Sequence, residues 1–314
     1  MTTSSSRSAA IAPAFTSLID YAGLFPPAEL PMSPALDGYG QARSGPFAWM
    51  LGRFIVPATR IDEMLASRTG AAPPLPLSVI VNAERDPRSW FGSARALLAR
   101  VADFRSNATH VAIEALEVPL PALPTRRETY DAAVGQLAML VQQTGLRDLP
   151  CYLEMPRDAR YLELLPGAAF ALARHGLRAK IRCGGAEPQA VPSPQEVAHF
   201  LIATVAEGVA FKATAGLHHP VARIDPETGF AAHGFLNVLC GAVFARAGAD
   251  LEDLERIVAE SDPHAFEFDA NGMRCGERRT SVEDVGRARR ESFVAYGSCS
   301  FSEPVDDLVE LGVL

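Results

Sequence analysis

Several features that would direct a first guess are scarce or missing. No apolar run approaches the roughly 20 residues that span a bilayer, and no signal-peptide core follows the start. The expectation is therefore a cytosolic protein with no membrane partner. A basic face is absent too: the 314 residues carry a formal net charge of -8, which argues against a nucleic-acid partner. Cysteine is sparse. Cys151, Cys183, Cys240, Cys275 and Cys299 are odd in number and show no C-x-x-C spacing, so they read as reduced, mostly buried thiols and not as a disulfide framework. No internal repeat or linker-like shift in composition divides the chain.

What remains is ordinary globular material, 48% hydrophobic and 21% charged, enough for a sizeable core. The Ser/Ala-rich start reads as a disordered tail over residues 1–12; its single arginine disfavours a transit peptide. Residues 13–314 read as one domain that includes a C-terminal segment, 297–314.

Short apolar runs alternate with helical stretches along the whole chain. The runs are 17–25, 49–57, 77–82, 110–118, 149–155, 177–183 and the stretch around Lys212, each followed by helical periodicity. Thr125 to Glu128 and Ser193 to Glu196 have the spacing of capping boxes, the second with proline at the first helical position. Ala265 to Asp269 is the expected eighth strand, followed by an Asn271-Gly272 hairpin signal. Phe293 to Ser298 is the alternative closing strand. This order predicts a single (β/α)8, TIM-type barrel with extra helices and a hairpin after strand 7.

In such barrels the reactive residues sit at the carboxyl ends of the strands. Those ends offer Asp20, Arg53, Asn82, Glu114, Glu154, Lys180 with Arg182, Lys212 with Thr214, and Asp269. With a side-chain period of two, Glu114, Glu154, Lys180 and Lys212 are expected to point inward. A buried lysine is tolerated where it is paired or used, and the paired acids and lysines serve either a structural ion network or catalysis. His218 and His219, adjacent in a loop before Pro220, are expected substrate contacts, since neighbouring histidines project apart. His233, in an apolar helix, reads as a core histidine, and Cys183 as a packed thiol. Gly184 and Gly185 could present backbone N–H groups to an anion.

Lys212-Ala-Thr-Ala-Gly216 resembles the K-x-[ST]-x-G strand of deoxyribose-phosphate aldolase and its class I relatives, over five residues. The resemblance implies a Schiff-base role for Lys212 and a partner role for Lys180 before Cys183-Gly-Gly185. In those aldolases the second lysine follows the Schiff-base one, whereas here it precedes it. Over the whole chain, Leu18 to Pro27, Lys180 to Gly185, Phe211 to Pro220 and Tyr296 to Leu308 are similar to a group of bacterial proteins of unassigned function, which carries no activity to transfer.

The leading expectation is a Schiff-base lyase for a small anionic carbonyl compound, a keto acid or sugar phosphate, with no cofactor. Lys212 attacks the carbonyl, Lys180 lowers its pKa by repulsion, and Glu154 or Glu114 exchanges protons. Arg53 and Arg182 hold the anionic group, with Asp20, Asn82, Thr214, His218, His219, Gly184 and Gly185 as further contacts. A second expectation is a metal-dependent lyase or isomerase with a divalent ion on Glu114, Glu154 and His218 (or His219). A third is a non-catalytic binding or scaffold barrel. A homo-oligomer is compatible with all three.

Overall fold

A computed structural model describes residues 8–68, 74–108, 110–122, 127–185, 187–226 and 228–314. The chain begins with α1 (Ile11–Phe15), β1 (Ile19–Tyr21) and α2 (Met32–Ser44). It then runs through β2 (Leu51–Pro57), α3 (Ile61–Ser67), β3 (Leu75–Ile80), α4 (Pro87–Asn107), β4 (Val111–Pro119) and α5 (Arg127–Gln143). Next come β5 (Cys151–Glu154), α6 (Tyr161–His175), β6 (Arg178–Arg182), α7 (Pro194–Ala206) and β7 (Phe211–Thr214). A two-stranded hairpin, β8 (Arg223–Ile224) with β9 (Ala231–Ala232), leads to α8 (Phe235–Arg246) and α9 (Leu251–Ala259). Strands β10 (Phe266–Phe268), β11 (Gly272–Cys275) and β12 (Arg278–Ser281), α10 (Val282–Glu291), β13 (Phe293–Ser298) and α11 (Ser302–Glu310) complete it.

Eight of these strands close a parallel barrel in the order β1-β13-β7-β6-β5-β4-β3-β2. The fold is thus the expected (β/α)8 barrel, with a hairpin and extra helices after the seventh barrel strand. The eighth strand is a correction. Ala265 to Asp269 does not close the barrel: Phe266–Phe268 pairs antiparallel with β11 in a separate three-stranded sheet. Phe293–Ser298 takes the closing place between β7 and β1. Asp269 therefore lies outside the barrel, where its carboxylate accepts from the backbone N–H groups of Asn271 and Gly272.

Local sequence accounts for the element ends. Ser193 and Glu196 form the capping box at the start of α7, with Pro194 in the first turn. The Thr125 box lies outside the described residues. Gly176 ends α6 in the left-handed region, at φ 68°, and lets the Leu177 N–H reach back to the Leu172 carbonyl. At the other terminus, Ala10 and Ile11 are buried, so the folded body begins inside the segment expected to be tail; residues 1–7 lie outside the described residues.

Alternation along the strands sorts the side chains into two layers. The outward layer packs under the helices: Phe211 stacks on Phe293 with ring centroids 5.3 Å apart and meets Phe200 of α7 edge-on, while Tyr296 stacks on Phe235 of α8. The inward layer, which in barrels of this type is mostly branched and apolar, is here largely charged. Among the described residues, no helix is long and apolar enough to cross a membrane.

Arg289 of α10 is buried and, among the described residues, has no carboxylate in contact; it binds carbonyls instead. Its Nε donates to Ala14 O at 2.7 Å, and its terminal nitrogens donate to the Thr16, Phe293 and Val294 carbonyls. Burial holds its pKa down at about 10. One side chain thus ties α1 to the start of the closing strand. Arg289→Ala leaves these carbonyls unpartnered, and we expect a loss of about 3 kcal/mol or more, read from urea unfolding.

Candidate active site

The chain contains two lysines against 27 arginines. Both lysines lie inside the barrel, side by side on neighbouring strands: Lys180 of β6 is in register with Lys212 of β7, and Glu154 of β5 with Lys180. Lys212 is 1% exposed and Lys180 5%.

Glu117 of β4 joins them. One carboxylate oxygen lies 2.7 Å from the Lys180 Nζ and the other contacts the Lys212 Nζ. Lys212 is further held by the Asp20 carboxylate of β1 at 2.5 Å and by the Ser78 hydroxyl of β3 at 3.2 Å. Ser78 donates to Glu117 at 2.6 Å. Lys180 is flanked by Glu154 at 3.1 Å, and Arg182, 48% exposed at the mouth, meets the other oxygen of Glu154 at 3.0 Å. Three carboxylates therefore face three cations. The Tyr152 ring forms a lower wall, 5.5 Å from the Lys212 ammonium, and its hydroxyl accepts from Arg178.

Two predicted roles change. Glu114 was expected inside the cluster, yet its side chain is 44% exposed and pairs with Arg53 at 3.1 Å. The register of β3 against β4 slips between Leu77 and Ser78, where Ile113 and Ala115 are the successive partners and Glu114 is extra. A bulge of one residue inverts the phase of every later side chain, and so Glu117 takes the inward position. Arg53 is likewise committed below the cluster. Its backbone N–H donates to Asp20 at 2.6 Å, and its guanidinium lies 3.9 Å from Asp20 and on Glu114. Gly52 permits this: a Cβ there would lie 2.2 Å from the Asp20 carboxylate.

The remaining expected contacts scatter. Thr214 lies one inward step above Lys212, in register with Arg182 and Gly297. Asn82 is exposed and donates to Thr59. Gly184 packs against Gly216, since a Cβ on the former would sit 2.8 Å from the latter's Cα, and Gly185 is tight against Ala190; close packing accounts for both glycines. His218 and His219 pair with Glu303 at 3.1 Å and Asp307 at 2.7 Å of α11. His233 is buried, as expected of a core histidine, with Nε2 on the Pro192 carbonyl. Glu114, Glu154 and His218 thus fall in three places, and among the described residues no group of three or more His, Cys, Asp or Glu is arranged to hold a metal.

The charge states correct a further expectation. Burial pulls both lysines down, but the carboxylates outweigh it: Asp20 and Glu117 hold Lys212 above its ordinary value, and Glu117 and Glu154 do the same for Lys180. Lys180 therefore does not leave Lys212 neutral in this arrangement. Burial likewise pushes Glu117 and Glu154 up, and the facing cations overcome it, holding both below the ordinary carboxylate value.

Neither a protein-family model nor a curated protein matches the sequence. Among solved structures the chain is similar to a deoxyribose phosphate aldolase from Aeropyrum pernix, described as a unique tetramer. That likeness has a TM-score of 0.50 at 12% identity and covers 96% of this chain and 93% of that one. It establishes the barrel fold shared with an aldolase.

The network predicts a two-sided pH profile. The depressed carboxylates contribute stability above their ordinary value of 4.5 that is lost as pH falls. The raised lysines contribute stability below 10.5 that is lost as pH rises through their folded values. Glu117→Gln should cost about 3–5 kcal/mol and flatten the acid limb of a urea-midpoint-versus-pH curve. Glu114→Gln should stay within about 0.5 kcal/mol of the parent chain.

Proposed function

We propose that the protein is a Schiff-base lyase of the class I aldolase type acting on a small anionic carbonyl compound, with Lys212 as the imine-forming residue. The observation that carries this reading is the restriction of lysine to two adjacent interior positions in a chain that otherwise uses arginine. An ion network built for stability alone is served by guanidinium, which is always charged and pairs bidentately. A primary amine, unlike a guanidinium, can deprotonate and attack.

In this reading the resting ammonium of Lys212 passes a proton to Asp20 or Glu117, both in contact with it. The free amine adds to the substrate carbonyl, water leaves, and the protonated imine withdraws electrons from the carbon–carbon bond that breaks. Glu117 exchanges charge with both lysines, which suits it to return the proton, and Glu154 and Lys180 continue the path toward the mouth. Arg182, paired with Glu154 but 48% exposed at the mouth, is the cation open to an anionic substituent, whereas Arg53 is less than half as exposed and engaged with Asp20 and Glu114. Lys212 is 1% exposed in the resting arrangement, so substrate entry requires side chains around it to move. The tetramer described for the similar aldolase supports homo-oligomerisation as part of the same reading, which light scattering measures directly.

Borohydride reduction with a panel of small aldehydes, keto acids and sugar phosphates tests the chemistry. Only Lys212, Lys180 and the terminal amine can react, so peptide mass spectrometry assigns the adduct without ambiguity. We expect a single adduct on Lys212, absent from Lys212→Met. An adduct on Lys180 alone, or none across the panel, overturns the assignment. In the latter case a folded Lys212→Met chain with undiminished stability points to a non-catalytic barrel.

A further inference from the structure

Above the lysine cluster lies a second group of reactive side chains. On β13, Ala295 is in register with Lys212 and Gly297 with Thr214. Cys299, two residues beyond Gly297, continues toward the carboxyl-end mouth. Its sulfur lies 3.8 Å from His218 Nδ1, and that nitrogen is 3.1 Å from Glu303. On the same strand Tyr296 is fully buried, and among the described residues its hydroxyl has no hydrogen-bond partner.

The five cysteines are not equivalent. Cys151, Cys183, Cys240 and Cys275 are buried, whereas Cys299 is partly exposed. Burial pushes the Cys151 and Cys183 thiols up to about 12 and raises Cys240 as well. His218 is held above its ordinary value, first by its contact with Cys299 and then by Glu303, against the pull of burial. An imidazolium beside a partly exposed sulfur is the setting in which a thiol loses its proton and reacts.

We propose that Cys299, paired with His218, is a peroxide-reactive modification site at the mouth of the barrel. The Cys299 thiol gives its proton to solvent, and the neighbouring imidazolium, held by Glu303, stabilises the thiolate. The sulfur attacks one oxygen of hydrogen peroxide, an S–O bond forms and the O–O bond breaks. Sulfur is oxidised by two electrons to the sulfenic acid, and the departing hydroxide takes a proton from solvent and leaves as water.

The test treats the full chain with hydrogen peroxide in the presence of dimedone and maps the adducts. We expect one adduct, on Cys299, with a rate at least tenfold lower in His218→Gln. No adduct on Cys299 under conditions that label a cysteine-containing peptide, or an unchanged rate in His218→Gln, overturns the proposal. Iodoacetamide labelling of the unmutated chain is a second arm that requires no variant. Cys299 should react faster than the same cysteine in urea-unfolded protein, and slower reaction counts against the pair. Neither arm depends on whether Lys212 forms an imine.

Discussion

The carboxylate of Glu117, shared between two buried ammonium groups, is the interaction on which the interior depends. Two lysines on adjacent strands repel each other, and Glu117 contacts both, whereas Asp20 pairs with Lys212 and Glu154 with Lys180. Removing that acid leaves each lysine a single carboxylate against its desolvation cost. Ser78 and Asp20 take up what the bridge leaves free, and the Asp20 position in turn requires the missing side chain at Gly52. The polar layer is therefore one connected unit. The outward layer of Phe211, Phe293, Tyr296 and their helix partners keeps water from it.

Much of this was legible in the sequence. The alternation of apolar runs with helical periodicity was enough for the barrel, and the phase of Lys212, Lys180 and Glu154 placed them inward correctly. Glu117 was not legible, because the bulge at Glu114 depends on how β3 and β4 settle against each other and not on either strand alone. The eighth strand stayed open between two runs for a similar reason. Phe266 to Phe268 has the alternation of a strand and is one, but its partner is a local hairpin, and pairing partners are not written in a strand's own pattern. The scarcity of lysine was a signal present in the sequence. Its meaning emerged only when both positions proved to be neighbours.

The resting state and the proposed chemistry impose opposite demands. Charge balance holds the lysines protonated, while attack on a carbonyl needs a neutral amine. A shared proton network reconciles them, since moving one proton from Lys212 to Asp20 or Glu117 changes no net charge within the cavity. An anionic substrate arriving near Arg182 would draw that cation from Glu154 and redistribute the field around Lys180. The order of the two lysines along the chain, reversed relative to the aldolases that the Lys212 motif resembles, is of little consequence to such a network, because neighbouring strands meet in space whichever comes first.

Confining lysine to the interior has one more effect. The outer surface of the folded molecule carries guanidinium groups but no ε-amine, so acylation, glycation and ubiquitin transfer to lysine find no target there until the barrel opens. A reagent that consumes an ε-amine in this protein therefore reports on the inside of the barrel.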